Sequence, residues 1–324
     1  MSRFRCLLLA SLISARLRSS CLTIFQRFAF LMLAATIVPA LAAETRCPGN
    51  VASVPFRFVN RHLIVVAISI NHTGPYDFLL DSGTQITIVD PLVAAALHLN
   101  TQGAAVVSGA GSGQSATYAQ LDLVEAGSHS VEKQKVLVYD LHPFPSDLHL
   151  LGILGEDFLE HFDLLIDNAH RMLCLDKSAA MRAEVKGPHI PLAAAAEVDQ
   201  AGPLAAFLVI SVRLSDGLRP VRLMIDSGAN ESVLFNTSEY MVLRPSLVPP
   251  VDFRGVDGMR TTLSALPLQD VKIGPLKLPA MSFFSLARTD KDSSVKGFDG
   301  VLTTGSFRRV FIDHADRFAI LEPR

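Results

Sequence analysis

From residue 51 onward, apolar residues come in short runs rich in Val, Ile, Leu and Phe, cut by Gly, Pro, Asn and Asp. That pattern predicts strands and turns. Two long runs, residues 63–70 and 207–214, read as strands; each is followed by turn formers, Asn71-His72-Thr73-Gly74-Pro75 and Ser215-Asp216-Gly217. Helix is scarce. Its clearest start is Asp90, a good N-cap, with Pro91 in the first helical position ahead of Leu92-Val93-Ala94-Ala95-Ala96-Leu97.

The apolar pattern repeats. Phe78-Leu79-Leu80-Asp81-Ser82-Gly83 returns 145 residues later as Leu223-Met224-Ile225-Asp226-Ser227-Gly228. Upstream, Val54-Pro55-Phe56 matches Ile190-Pro191-Leu192. Downstream, glycine-rich stretches around Gly109 and Gly111 and around Gly255 and Gly258 read as hairpins. Further on, Leu151-Gly152-Ile153-Leu154-Gly155 precedes Phe162-Asp163-Leu164-Leu165-Ile166-Asp167, as Asp299-Gly300-Val301-Leu302 precedes Val310-Phe311-Ile312-Asp313. Matched landmarks in one order predict two copies of one lobe, residues 44–186 and 187–324, with the boundary zone in the Ala-rich region 178–200. The place of the Asp90 helix is taken in the second copy by the less helical stretch 236–247.

Composition agrees: 324 residues, 49% hydrophobic and 19% charged, suffice for two cores. Residues 1–43 differ, carrying Arg3, Arg5, Arg16, Arg18 and Arg27 and no acidic residue. Their apolar stretch 28–43 ends in Ala40-Leu41-Ala42, the small-residue pattern of a secretory cleavage site, and falls short of the ~20 residues that span a bilayer. A signal peptide is expected, with the chain periplasmic or secreted, or membrane-anchored where the leader is retained. Without those five arginines the net charge of −2 becomes about −7, and no basic run offers itself to nucleic acid. Only Cys47 and Cys174 lie beyond the leader. Export favours a disulfide between them, while the apolar run Met172-Leu173-Cys174-Leu175 equally suits a buried free thiol.

An apolar strand ending in Asp-Ser-Gly places a carboxylate on a tight turn between buried elements. One such turn is ordinary. Two, in duplicated lobes facing each other about a twofold axis, bring the carboxylates side by side, where they cannot both ionise easily. They then share a proton, one acting as general base on a water and the other as general acid. His62, His98, His142, His161 and His170 stand in no metal-ligand spacing and read as surface or structural residues. Gly109-Ala110-Gly111-Ser112-Gly113 resembles a nucleophile elbow only in composition.

The Asp-Ser-Gly-Thr/Ala turns, the glycine-containing hairpins and the Ile-Leu-Gly segment resemble the pepsin and retropepsin superfamily of aspartic peptidases, over roughly residues 51–324. The resemblance implies a mostly β, two-lobed acid-protease-like β-barrel fold with pseudo-twofold symmetry. It implies that Asp81 and Asp226 are the catalytic pair, within loops built from Ser82, Gly83 and Thr84 and from Ser227, Gly228 and Ala229. Ser82 and Ser227 would interlock the loops through the opposite backbone, and the hairpins at 109–118 and 255–262 would be flaps over an extended peptide. Tyr118 has two readings, a flap tyrosine or a packing tyrosine. The implied activity is aspartic endopeptidase, without cofactor or metal, in a single chain; pairing of each lobe with another chain's lobe is unnecessary. The rival is a catalytically silent envelope protein that binds peptides with the same fold.

Two features separate the copies. Leu302-Thr303-Thr304-Gly305 stands where the first copy has Leu154-Gly155-Glu156-Asp157, so support for the second loop is expected to differ. Thr84 follows the first Asp-Ser-Gly and Ala229 the second. A hydroxyl reaching Asp81 would favour its charged form and leave the proton on Asp226; alternatively Thr84 only packs or bonds to backbone.

Overall fold

The computed structural model describes residues 47–107, 114–142, 149–195, 198–199, 202–242, 246–254, 260–286 and 297–324. The leader, the glycine stretch 108–113 and the segment 255–259 fall outside them. Ten strands form the Asp81 lobe: β1 (Ala52–Val59), β2 (Leu63–Ile70), β3 (Thr73–Leu80), β4 (Ile88–Val89), β5 (Gln102–Val107), β6 (Gln114–Ala126), β7 (His129–Val138), β8 (Gly152–Leu154), β9 (Asp163–Asp167) and β10 (Met172–Asp176). Short strands β11 (Ile190–Pro191), β12 (Ala193–Ala195), β13 (Val198–Asp199) and β14 (Gly202–Pro203) follow. The Asp226 lobe is built from β15 (Phe207–Leu214), β16 (Val221–Asp226), β17 (Val233–Phe235), β18 (Val251–Arg254), β19 (Arg260–Ala265), β20 (Gln269–Ile273), β21 (Leu276–Met281), β22 (Phe284–Leu286), β23 (Gly300–Thr303), β24 (Phe307–Asp313) and β25 (Phe318–Pro323). Among the described residues, three short α-helices are α1 (Pro91–Ala96), α2 (Glu156–Leu159) and α3 (Ala180–Glu184). The protein is mostly β, with two large sheets in a two-lobed arrangement.

Both lobes repeat one wiring around the Asp-Ser-Gly turn. β3 lies between antiparallel β2 and parallel β8, and β16 between antiparallel β15 and parallel β23. β4 and β17 then pair antiparallel with β8 and β23. Such central strands, flanked on both edges and covered on both faces, need apolar residues throughout. Phe78, Leu79, Leu80, Leu223 and Ile225 are accordingly buried.

The lobes also share a sheet. Within the larger sheet the order β11-β25-β24-β9-β10-β1 joins strands of the second lobe to strands of the first at the β24–β9 pair, with Leu164, Leu165 and Ile166 of β9 in register with Ile312, Phe311 and Val310 of β24. Alternate side chains go to opposite faces. Leu164, Ile166, Val310 and Ile312 enter the main core, while Leu165 and Phe311 meet Cys174, Met181 of α3 and Val185 on the other face. Beneath α3, Cys47 and Cys174 form a disulfide with Cα atoms 5.7 Å apart, so the two open sequence readings resolve to the bridge.

α1 begins at Pro91 and Asp90 caps it, its carboxylate accepting from Leu92 N at 2.9 Å. The turn after β2 is tighter than its composition suggested. Asn71 and His72 alone make it, at φ 48° and 63°, and Gly74-Pro75 lies inside β3. Asn tolerates the left-handed region, and Asn71 Oδ1 accepts from Asp122 N and Leu123 N at 3.0 Å each, tying the turn to β6. The glycine-rich stretches connect antiparallel pairs, β5 with β6 and β18 with β19, whose tips lie outside the described residues.

Candidate active site

Asp81 leaves β3 just after Leu80, which is in register with Leu154 of β8, and its N–H donates to Leu154 O at 3.0 Å. Asp226 ends β16 in register with Thr303 of β23. Each aspartate is therefore aimed by a strand wedged into the middle of a sheet, and the following Ser-Gly turns the chain back. Four hydrogen bonds lock turn to turn. Ser82 Oγ donates to Ile225 O (3.1 Å) and accepts from Ser227 N (3.1 Å); Ser227 Oγ donates to Leu80 O (2.9 Å) and accepts from Ser82 N (3.1 Å). Both serines are fully buried, so losing one hydroxyl leaves polar atoms unpaired in a dry interface.

The glycines permit the approach. A Cβ on Gly83 would lie 2.7–2.9 Å from the Asp226 carboxyl atoms, and one on Gly228 would fall onto the Asp81 carboxyl. Each carboxyl thus lies against the other turn's glycine. Gly83 N donates to Asp81 Oδ1 (2.9 Å) and Gly228 N to Asp226 Oδ1 (2.7 Å). Thr84 Oγ1 adds a side-chain donor to Asp81 Oδ2 at 2.7 Å, and Ala229 has only its backbone amide to offer Asp226.

These contacts divide the proton unequally. Burial raises Asp81, and the Thr84 hydroxyl and Gly83 amide draw it part of the way back. Burial and then repulsion from Asp81 push Asp226 well above the ordinary carboxylate range. Hydrogen bonds to a charged form favour that form, so these donors favour the charge on Asp81 and the proton on Asp226. The titration belongs to the pair as a unit. Chemically this is a base and an acid side by side, able to take a proton from a water and give one to a leaving group.

Behind each turn a hydroxyl six residues after the Asp ties it to the neighbouring strand. Thr87 Oγ1 accepts from Gly155 N (3.1 Å), as Ser232 Oγ accepts from Thr303 N (3.2 Å). From there the lobes part. Asp157 Oδ1 takes both the Thr87 hydroxyl (2.7 Å) and the Thr87 amide (2.8 Å), whereas among the described residues of the Asp226 lobe no carboxylate bonds Ser232. Thr303 instead donates its hydroxyl to Ala229 O and accepts from Gly305 N. The Thr84 carbonyl, equivalent to that of Ala229, is held by Glu156 N at 2.7 Å. A third tie crosses the lobes. Gln85 Nε2 donates to Ala205 O (2.8 Å), and at the equivalent place Asn230 Oδ1 accepts from His62 N and Asn230 O lies 3.1 Å from His62 Nδ1.

Sequence reasoning missed these supports. The hydroxyl at the same distance beyond each Asp was a visible signal; the His62 contact left none. Tyr118 stands on β6 in register with Gln102 of β5, half-buried against the cluster of Leu63, Val65 and Leu79, with the Lys135 ammonium 4.8 Å from its ring centre. Among the described residues, one set of three groups has metal-ligand proximity, Asp90, Asp140 and His142. Its carboxylates already serve Leu92 N, Leu141 N and His142, so it offers no ready donor set.

Residues 66–158, from β2 to α2 and including the whole Asp81 turn, match the family "Aspartyl protease". No curated protein matches the chain. Among solved structures, the aspartic proteinase from Irpex lacteus aligns with a TM-score of 0.49 at 13% identity, over 84% of this chain and 97% of that one. A retropepsin-like aspartic protease from Rickettsia conorii aligns with a TM-score of 0.30 at 18% identity, over 39% and 90%. The likeness to the aspartyl protease family thus lies in residues 66–158, the segment that carries Asp81.

Proposed function

We infer that the protein is an aspartic endopeptidase in which a water held between Asp81 and Asp226 attacks a peptide carbonyl. The single observation that carries this reading is the placing of each carboxyl against the other turn's glycine, with Ser82 and Ser227 locking the turns together. Asp81, charged, takes the water's proton; Asp226, protonated, gives its own toward the carbonyl oxygen. As the resulting diol collapses, Asp81 gives its proton to the leaving amine nitrogen and Asp226 takes one back from a diol hydroxyl, which restores the starting pair. No cofactor enters these steps. The substrate is a peptide in extended conformation, and the chain acts alone, a reading supported by the β9–β24 pairing that joins the two lobes in one sheet. An oxidising compartment, periplasmic or extracellular, is supported by the Cys47–Cys174 disulfide and by the leader.

The test is incubation of the mature protein with a diverse peptide library from acid to neutral pH, beside Asp81→Asn. Cleavage by the parent alone is expected. Cleavage by neither, with peptides still retained, would establish the silent peptide-binding protein instead.

A further inference from the structure

The two lobes reach across to each other at a second pair of matching positions, and there the chemistry is unequal. β9 and β24 run into the same turn, Asp167-Asn168-Ala169 and Asp313-His314-Ala315. In each, the side chain after the Asp crosses to the other lobe. Asn168 Nδ2 donates to Thr304 O (2.9 Å) and Phe307 O (3.0 Å), in and just after the 3-10 turn Thr304–Ser306. His314 meets the first lobe with both ring nitrogens, Nδ1 at 2.6 Å from Phe162 O and Nε2 at 2.8 Å from Glu156 Oε1.

Glu156 opens α2, and its amide is the one that holds the Thr84 carbonyl at 2.7 Å. Thr84 in turn donates its hydroxyl to Asp81. Three consecutive hydrogen bonds therefore lead from His314, in the Asp226 lobe, to the carboxylate of the Asp81 lobe. The Asp226 turn has a different arrangement, since the Ala229 carbonyl is held by Thr303 from within its own lobe.

The His314–Glu156 pair is costly to bury unless satisfied, and Glu156 is only 1% exposed. A carbonyl only accepts, so Nδ1 carries a hydrogen toward Phe162 O, and Nε2 and Oε1 hold one further proton between them. Burial raises Glu156, and the bond from His314 draws it part of the way back. Burial would depress His314, but the Glu156 bond and charge more than offset this and leave it above its usual value. The other charged groups around the pair are Asp157 and Glu160 on and beside α2, Asp163 of β9, and Arg317. Arg317 lines a cavity of about 110 Å³ with Glu156, Glu160 and His314.

We propose that His314 is a positioning residue for the Asp81 turn: it fixes Glu156, whose amide anchors Thr84, and so keeps the Thr84 hydroxyl on Asp81. This rests on the reading of Asp81 and Asp226 as a working pair. It goes beyond that reading by making the second lobe responsible for the proton affinity of the first lobe's carboxylate. Asn168 supports the other lobe without any titratable group.

Two readouts in the full-length mature protein test it. One is kcat and KM of a cleaved peptide across pH. The other is the titration of 13C-labelled Asp carboxyls by NMR, which needs no turnover. His314→Ala is expected to lower kcat by on the order of tenfold with little change in KM. It should also move the acid limb, and the matching carboxyl titration, to higher pH, the direction expected of Thr84→Ala. Because both act through one contact, the double variant should move it no further than Thr84→Ala alone. Glu156→Gln, whose amide still bonds the imidazole, should retain most of what Glu156→Ala loses. If His314→Ala fails to fold, His314→Asn takes its place, carrying the amide that the equivalent turn uses and losing only the Glu156 contact. A folded His314 variant with parental kcat and parental carboxyl titration overturns the proposal, as does a shift that adds in full to that of Thr84→Ala. A parent that cleaves nothing overturns the peptidase reading, and the NMR titration then still decides whether His314 acts on Asp81.

Discussion

At the first turn Asp81 accepts from the Gly83 amide and from the Thr84 hydroxyl, and the Thr84 carbonyl is gripped by a helix whose first residue is locked to the opposite lobe. At the second, Asp226 accepts from the Gly228 amide, has an alanine where the first turn has its hydroxyl, and depends on Thr303 for support. The backbones are equivalent and the serines are interchangeable in role. What differs is the number of donors facing each carboxyl. Near-symmetric turns therefore carry an asymmetric charge, with burial and the neighbouring Asp81 keeping the proton on Asp226. A duplicated lobe need not carry a duplicated environment; a hydroxyl at one turn and a methyl at the other bias the two carboxyls in different directions.

The comparison breaks most completely at the carboxyls. Asp81→Asn and Asp226→Asn are each expected to lower kcat by a factor of ~10³ or more, with the double variant little worse, because one proton and one charge are needed together. Near-parental turnover by either folded single variant would show that the two turns do not act as a pair. The serines test where the turns are alike. Ser82→Ala and Ser227→Ala should each cost about 1–3 kcal/mol in urea unfolding, with non-additive losses in the double variant because the two side chains share one network. Fully additive losses would mean that the turns are held independently.

Behind the turns the lobes should respond differently. Thr87→Ala takes one donor from the buried Asp157 carboxyl, which burial already holds above its usual pKa, and removes the acceptor used by Gly155 N and Gln134 Nε2, whereas Ser232→Ala removes one acceptor from Thr303 N. A loss of about 1–3 kcal/mol is expected at Thr87 and a smaller one at Ser232; equal losses would remove this contrast.

The smallest effect is the most informative about charge. Thr84→Ala withdraws a donor from the ionised Asp81, so the singly charged pair becomes less stable relative to the doubly protonated one. The pKa of that step then rises, and the acid limb of the pH–rate profile moves up by roughly half to one unit; one unit is about 1.4 kcal/mol. Ala229→Thr, adding a donor beside Asp226, should move it down. An acid limb unmoved by Thr84→Ala would place the asymmetry elsewhere.

Much of this was legible in the chain. The paired apolar strands and the two Asp-Ser-Gly turns are local patterns, because period and turn chemistry act over a few residues. The N-cap at Asp90 was legible for the same reason. The turn after β2 was misjudged in extent because Asn71 makes its decisive bonds with residues on β6, about fifty positions away. The two readings of Cys174 could not be separated locally either, since a buried thiol and a buried disulfide sit in the same apolar run.

Sequence by itself determined that two equivalent carboxylate turns exist, and that a hydroxyl follows one and a methyl the other. Only the tertiary structure decided that the hydroxyl faces the carboxyl, that Asp157 supports one turn and Thr303 the other, and that His314 crosses the lobes to Glu156. The physical reason is range. A turn is written in adjacent residues, whereas a buried proton is placed by donors that folding brings from far along the chain, and their direction and distance appear only when the sheets are assembled.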